Sequence, residues 1–285
     1  MFLLIILDTM FLFLCFLPEQ IHKNEIVDIR LRSSWINKTL DVIQKNYCDG
    51  VHLRFGSVHD TSFIIDLPLL FEEIKTRFTQ RIPGSQISFY APWNCKTGNT
   101  ICSAIVSASK YADHVHVTSF NVQKHMLLGC FAKANAPYHQ TLTGISHYID
   151  KGVNSRKIIL TLPWFGYDYT CNRFIEAGGC EISAPCGSIN APRMPYHNIM
   201  NLLPKSMSGR IWDDDYKAPF FVYKKDKVFH EVWYDDPESI SWKTTFLKKF
   251  KLGGIGIWKV DFANYSSDPI TAMKTEEMWN ALCPP

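Results

Sequence analysis

This chain has no charge excess of either sign. Its 30 lysines and arginines against 27 aspartates and glutamates leave a formal net charge of +3 over 285 residues. The basic residues are dispersed, and the short cluster Lys248-Lys249 with Lys251 reads as the end of a solvated helix. A basic stripe is the footprint of nucleic-acid binding, so that class of partner is excluded. The cysteines form no C-x-x-C pair, which removes the usual zinc-ligand spacing. Neither a metal nor another cofactor is expected. The amino-terminal apolar run lacks the basic flank and the small-x-small site that mark a cleavable secretory signal.

That run, residues 1–17, is interrupted only by Asp8 and Thr9 and closes at Pro18-Glu19-Gln20. As a membrane span it is slightly short, and Asp8 near its middle would cost about 2.5–3.5 kcal/mol on insertion scales. The alternatives are an apolar barrel strand or a start spliced onto a shortened gene. We take residues 1–20 as a signal-like leader and residues 21–285 as the folded domain, with membrane contact expected only if the leader is retained. The sequence does not speak to oligomeric state.

What the chain does have is nine cysteines, many for a cytosolic enzyme. Cys171, Cys180 and Cys186 lie close together in a Gly- and Pro-rich stretch, which suits a disulfide better than a thiol nucleophile. Asn37-Lys38-Thr39 and Asn264-Tyr265-Ser266 are glycosylation sequons at Asn37 and Asn264, compatible with the secretory route.

From about residue 26 strands alternate with helical stretches, the pattern of a parallel α/β architecture. Trp35, Leu40 and Ile43 at helical spacing predict a helix over 34–45, and 51–55 follows as a strand. Leu67, Leu70, Phe71, Ile74 and Phe78 mark the next helix. Strands are expected at 86–90, 114–120, 157–162 and 254–258, with helices at 101–111, 141–151, 237–250 and 275–282. Residues 210–234 read as an antiparallel insertion before the last strand, turning at Lys225-Asp226-Lys227.

The most informative stretch is Asp49-Gly50-Val51-His52-Leu53-Arg54-Phe55-Gly56. It resembles the D-G-x-D-x-D-x-E signature of family-18 glycoside hydrolases, the chitinase and chitobiase family. Further resembling segments follow in the family order: 84–89 (GSQISF), 91–93 (APW), 132–144 (AKANAPYHQTLTG), 162–171 (LPWFGYDYTC), 178–186, 232–239 (VWYDDPES) and 253–258 (GGIGIW). The resemblance runs from roughly Val27 to the carboxyl terminus. It implies a TIM-type (β/α)8 barrel in which the signature lies on the fourth strand, and a lysosomal or secreted location. At about 30 residues per βα unit, the fifty residues before that strand are too few for three units. The expected fold is therefore an incomplete barrel, short of roughly its first three βα units. Five strands cannot close, so open edges favouring aggregation or a partner are expected.

The resemblance also implies a reaction: substrate-assisted hydrolysis of β-1,4-linked N-acetylglucosamine with retention. In the family the Glu protonates the glycosidic oxygen, and the Asp two residues earlier orients the acetamido group that attacks the anomeric carbon. Alternate strand residues point the same way, so both reach one site. Of the signature, Asp49 and Gly50 survive here, while the later acidic positions fall on His52, Arg54 and Gly56. Guanidinium, with a pKa above about 12, is no general acid near neutrality. The first downstream carboxylates are Asp60, Asp66 and Glu72, of which only Asp60 lies in a loop able to reach the barrel mouth.

A second position is altered in the same sense. Val117-Thr118-Ser119-Phe120-Asn121 stands where chitobiase members of the family carry Met-Ser-Tyr-Asp, so Phe120 lacks the hydroxyl and Asn121 the charge. The residues proposed to face sugar are Trp258, as the family's floor under the cleaved ring, with Trp93, Trp164, Tyr167, Asp168, Phe120, Asn121 and Asp235. Large aromatics also anchor cores, and for most of these that is the plainer role. His52 and His59 are too widely spaced to make a metal pair. Three functions follow: a family-18 homologue without hydrolase activity, a lectin-like binder of N-acetylglucosamine oligosaccharides, and a weak glycosidase recruiting Asp60.

Overall fold

The structure, a computed structural model, describes residues 2–7, 10–16, 26–54, 66–95, 99–122, 130–176, 179–182 and 191–283. In chain order the barrel elements begin with β1 (Phe2–Leu7), β2 (Met10–Phe16), α1 (Ile29–Lys45), β3 (Gly50–Leu53) and α2 (Leu67–Arg81). They continue with β4 (Gln86–Ala91), α3 (Asn99–Ala108), β5 (His114–Thr118), α4 (Tyr138–Asp150) and β6 (Ile158–Pro163). Next come β7 (Phe165–Thr170), β8 (Arg173–Ile175), β9 (Gly179–Glu181), β10 (Arg193–Pro195) and α5 (Tyr196–Leu202). The chain ends with β11 (Ile211–Asp213), β12 (Ala218–Lys225), β13 (Val228–Trp233), α6 (Pro237–Phe250), β14 (Gly254–Trp258) and α7 (Pro269–Asn280).

Helix α1 begins five residues before the predicted start because Asp28 caps it, its carboxylate accepting from the amides of Arg30 at 2.7 Å and Leu31 at 3.1 Å. The buried face, Trp35, Ile36, Leu40 and Ile43, follows helical spacing. Helix α2 buries the five predicted apolar residues. Between the two helices Arg32 Nε meets Glu73 at 2.7 Å, and Ser33 Oγ donates to the same carboxylate at 2.6 Å. These bonds and the neighbouring cations hold Glu73 below the usual carboxylate range, against its partial burial.

Strands β2, β3, β4 and β5 pair in parallel, with Val51 opposite Ile87 and Phe89 opposite Val115. The ring runs β1-β14-β6-β5-β4-β3-β2, and β1 pairs with β2 antiparallel, so it closes with seven strands. This corrects the expectation of five strands with open edges. Residues 2–16 supply not one strand but two, a hairpin joined to β14 on one side and β3 on the other. Two residues between strands leave no length for a helical crossover, so the added pair is necessarily antiparallel. Among the described residues no helix is long and apolar enough to cross a membrane.

Gly50 sits where β3 meets β4. A Cβ there would lie 1.9 Å from the backbone oxygen of Gln86. Gly50→Ala is expected to destabilise by about 1–3 kcal/mol through overpacking, read as a lowered urea midpoint.

The chain forms two compact units, one of residues 1–118, 144–160 and 250–256, the other of residues 119–143, 161–249 and 257–285. The second is built on the antiparallel sheet β10-β7-β13-β12-β11. Strands β11 to β13 are the predicted insertion, and β12 turns into β13 through Asp226 and Lys227, both at positive φ (48° and 66°), as a two-residue hairpin requires. Strands β7 and β10 extend the sheet beyond what the sequence indicated. The Cys171–Cys180 disulfide sits in its core beside Tyr169, Phe165 and Trp233, and Cys95–Cys102 forms in the first unit. Cys186 lies outside the described residues.

Candidate functional site

In the first unit the signature strand presents His52 and Arg54 on one face, two residues apart. His52 is opposite Ser88, and its Nδ1 lies 2.7 Å from Ser88 Oγ. Tyr90 and His116 are paired across β4 and β5, and both rings meet His52 edge-on, at 4.5 and 4.7 Å between centroids. The other face of the sheet packs on the helices, as Phe89 does against Phe71 at 4.8 Å. The polar row of His52, Ser88, Tyr90 and His116 therefore lines the barrel interior. Burial, helped by the nearby Arg54 charge, pulls the His52 imidazole down to about 3. Burial and the neighbouring imidazoles likewise hold His116 well below its ordinary value. Both rings are neutral at any physiological pH.

Arg54 is exposed at the end of this row. Asp49 is exposed at the start of the strand, where its backbone oxygen accepts from Gln86 at 2.9 Å. Asp66 and Glu72 belong to the start and the exposed face of α2. Gly56, His59 and Asp60 lie outside the described residues. Trp93 is half-buried, and Gly144 packs on its backbone so closely that a Cβ there would meet the Trp93 oxygen at 2.0 Å.

The second unit holds an aromatic cluster. Phe120 lies 5.5 Å from Phe165 and 6.5 Å from the half-buried Trp258, and Phe165 lies 6.0 Å from Phe262. A polar chain runs beside it. Asn135 Nδ2 donates to the Phe165 oxygen at 3.1 Å, and Asn135 Oδ1 accepts from the Asn121 amide at 2.9 Å. The Tyr167 hydroxyl donates to Asn121 Oδ1 and accepts from Arg193 Nε at 3.3 Å. Asn121 adopts φ +62°, which asparagine tolerates better than most residues. Sequence reasoning missed Asn135, Phe165, Arg193 and Phe262. Asn135 lies inside the resembling segment 132–144, but Arg193 sits on a three-residue strand with no pattern to reveal it.

Four of the proposed sugar-facing residues, Trp164, Tyr167, Asp168 and Asp235, are buried instead, Tyr167 at 3% exposure. Trp164 is fully buried, edge-on to Trp279 at 4.9 Å. Asp168 accepts from the Tyr223 hydroxyl at 2.7 Å and meets His230 Nδ1 at 3.0 Å. Asp235 is buried against Lys243 and accepts from Ser239 Oγ at 2.7 Å. The carboxylates of Asp168 and Asp235 are spent on the fold. Of the sequon residues, Asn37 accepts from Arg77 Nη1 at 3.2 Å on the exposed face of α1, and Asn264 Oδ1 accepts from the Ser266 amide at 3.0 Å.

A closed ring of strands, parallel from β2 to β5, with helices outside, an antiparallel insertion before the last strand and an aromatic at that strand's end define an α/β barrel of the TIM type. Residues 25–263 match the profile of Glycosyl hydrolases family 18, and the chain belongs to that family. It is 36% identical over 277 residues to the di-N-acetylchitobiase of Homo sapiens, spanning 94% of this chain and 72% of that protein. It is 24% identical to the probable di-N-acetylchitobiase 1 of Dictyostelium discoideum, over 85% of this chain and 69% of that one. The fold is similar to that of a class V chitinase variant from Nicotiana tobaccum in complex with NAG4, with a TM-score of 0.75 at 14% identity, covering 92% of this chain and 80% of that one.

Proposed function

We propose that this chain is a chitobiase-like member of family 18 that does not hydrolyse glycosides. One observation carries the reading: the signature strand offers a buried neutral imidazole at His52 and an exposed guanidinium at Arg54, where the family's reaction calls for carboxylates. The reaction needs a proton delivered to the leaving oxygen while the substrate's acetamido oxygen closes on the anomeric carbon. Arg54 cannot give that proton, and its charge repels the oxazolinium that forms. Gly56 has no side chain at all. Phe120 lacks a hydroxyl for the acetamido oxygen. Loss of a positioned acid–base group alone costs about 10²–10⁴-fold.

The test is hydrolysis of a chromogenic N,N′-diacetylchitobiose glycoside by the parent and by the double variant Arg54→Asp, Gly56→Glu. The parent is expected to be silent. Parental turnover that Asp60→Asn abolishes would replace this reading with the weak glycosidase.

A second reading, binding of N-acetylglucosamine oligosaccharides without turnover, is favoured by the half-buried Trp258 and Phe120 rings with Asn121 and the Tyr167 hydroxyl beside them. Aromatic faces suit pyranose rings, and the amide and hydroxyl suit an acetamido group. The tobacco chitinase variant in complex with NAG4 supports that ligand class. A lysosomal or secreted glycoprotein, modified at Asn37 or Asn264, fits the disulfides and the sequons.

A further inference from the structure

One basic side chain at the second unit's aromatic cluster lacks a carboxylate partner among the described residues. Arg193 is exposed, its guanidinium lies 5.0 Å above the Phe165 ring, and its Nε reaches the Tyr167 hydroxyl. No carboxylate pairs with Arg193 among the described residues. The acids next in sequence to its aromatic neighbours, Asp168 and Asp261, are committed elsewhere. Asp168, next to Tyr167, points to the opposite face of its strand and is held by Tyr223 and His230. Asp261, beside Phe262, is matched by Lys259 at 2.5 Å. Asn121, bonded to Tyr167, is an amide. The cluster thus combines the half-buried rings of Phe120, Trp258 and Phe262, the Asn121 amide, the Tyr167 hydroxyl and one exposed guanidinium without a carboxylate partner among the described residues, with Phe165 and Asn135 buried behind them.

A neutral chitin oligosaccharide offers such a group hydroxyl and acetamido oxygens but no countercharge. A guanidinium fork matches a carboxylate or sulfate, and stacking on Phe165 and the bond to Tyr167 fix its plane. We propose that this cluster takes an acidic oligosaccharide of N-acetylhexosamine, in which a uronate next to the N-acetylated sugar is received by Arg193. The proposal rests on the oligosaccharide-binding reading and deepens it: loss of the catalytic acids goes with a change of ligand charge.

The experiment compares the full chain's affinity, by calorimetry, for two tetrasaccharides: one of alternating glucuronate and N-acetylglucosamine, the other of N-acetylglucosamine alone. The acidic probe is expected to bind about tenfold tighter at low salt, the advantage shrinking as salt rises. Arg193→Gln should remove the preference, bringing the two affinities together. Thermal unfolding of the variant checks that it folds, and the salt dependence of the parent tests the charge without any substitution. Equal or tighter binding of the neutral probe overturns the proposal while the binding reading stands. A preference that survives Arg193→Gln overturns it too. Absence of binding to either probe removes the reading on which it rests.

Discussion

Lys243→Met is expected to lower stability by about 3–5 kcal/mol, the range for removing one partner of a buried ion pair. Lys243 and Asp235 are among the least exposed charges in the protein, with side chains 0% and 2% accessible. The variant would leave the Asp235 carboxylate in the interior with only the Ser239 hydroxyl to satisfy it. The surroundings cannot relax, since Ser239 is itself tied to the Asp236 carboxylate and Asp236 to Arg210 at 2.8 Å. Pairing Lys243→Met with Asp235→Leu should recover most of the loss, because an ion pair replaced whole by apolar groups is often nearly neutral. Denaturant unfolding of the two single variants and the double gives the coupling. Additive losses would show that the pair contributes nothing as a pair.

Asp235 also shows where sequence reasoning went astray. An acid beside aromatics at a strand end looks like a sugar ligand, and Asp168 invited the same reading. Nothing local reveals that a lysine eight residues on, or a tyrosine and a histidine on two distant strands, absorbs the charge. Much else was legible. The five apolar residues of α2 and the turn into β13 are found as predicted, since periodicity and turn chemistry are local properties. The leader was the least legible part. A continuous apolar run reads equally as signal, span or buried strand, and the pairing with β14 and β3 depends on residues far along the chain.

At the signature strand the sequence located His52 and Arg54, but not their company. Parallel barrel strands usually read as continuous apolar runs. His114-Val115-His116-Val117 alternates instead, and Ser88 and Tyr90 alternate with Phe89. That departure was the available signal for polar side chains in the barrel interior. Glu231 carried a similar one, an acid two residues before Trp233 in the strand Val228–Trp233.

Glu231 should make stability fall as pH rises. It is 2% exposed, and one carboxyl oxygen accepts from the Trp233 indole at 2.6 Å. The other, Oε2, is buried without a hydrogen-bond partner among the described residues. Opposite it stand Tyr169 on β7, whose hydroxyl goes to the Lys133 oxygen, and Val222 on β12, with Gly179 and Cys180 of β9 close by. No charged group among these offsets the burial, which pushes the carboxyl up to about 7 against the opposing bonds from Trp233 and Cys180. A raised carboxyl favours the folded state fully below the unfolded value, near 4.5, and that contribution is lost as pH climbs through 7. The shift corresponds to about 3 kcal/mol. His52 and His116 act in the opposite sense, since lowered imidazoles cost stability as pH falls below about 6.5. Comparison with Glu231→Gln isolates the carboxyl, because the amide keeps the shape without titrating. Urea midpoints measured from about pH 5 to pH 8 should fall further for the parent than for the variant, with the gap opening between pH 5 and 7. Two parallel profiles would mean that Glu231 finds a partner or water when ionised, and that the sheet tolerates its charge.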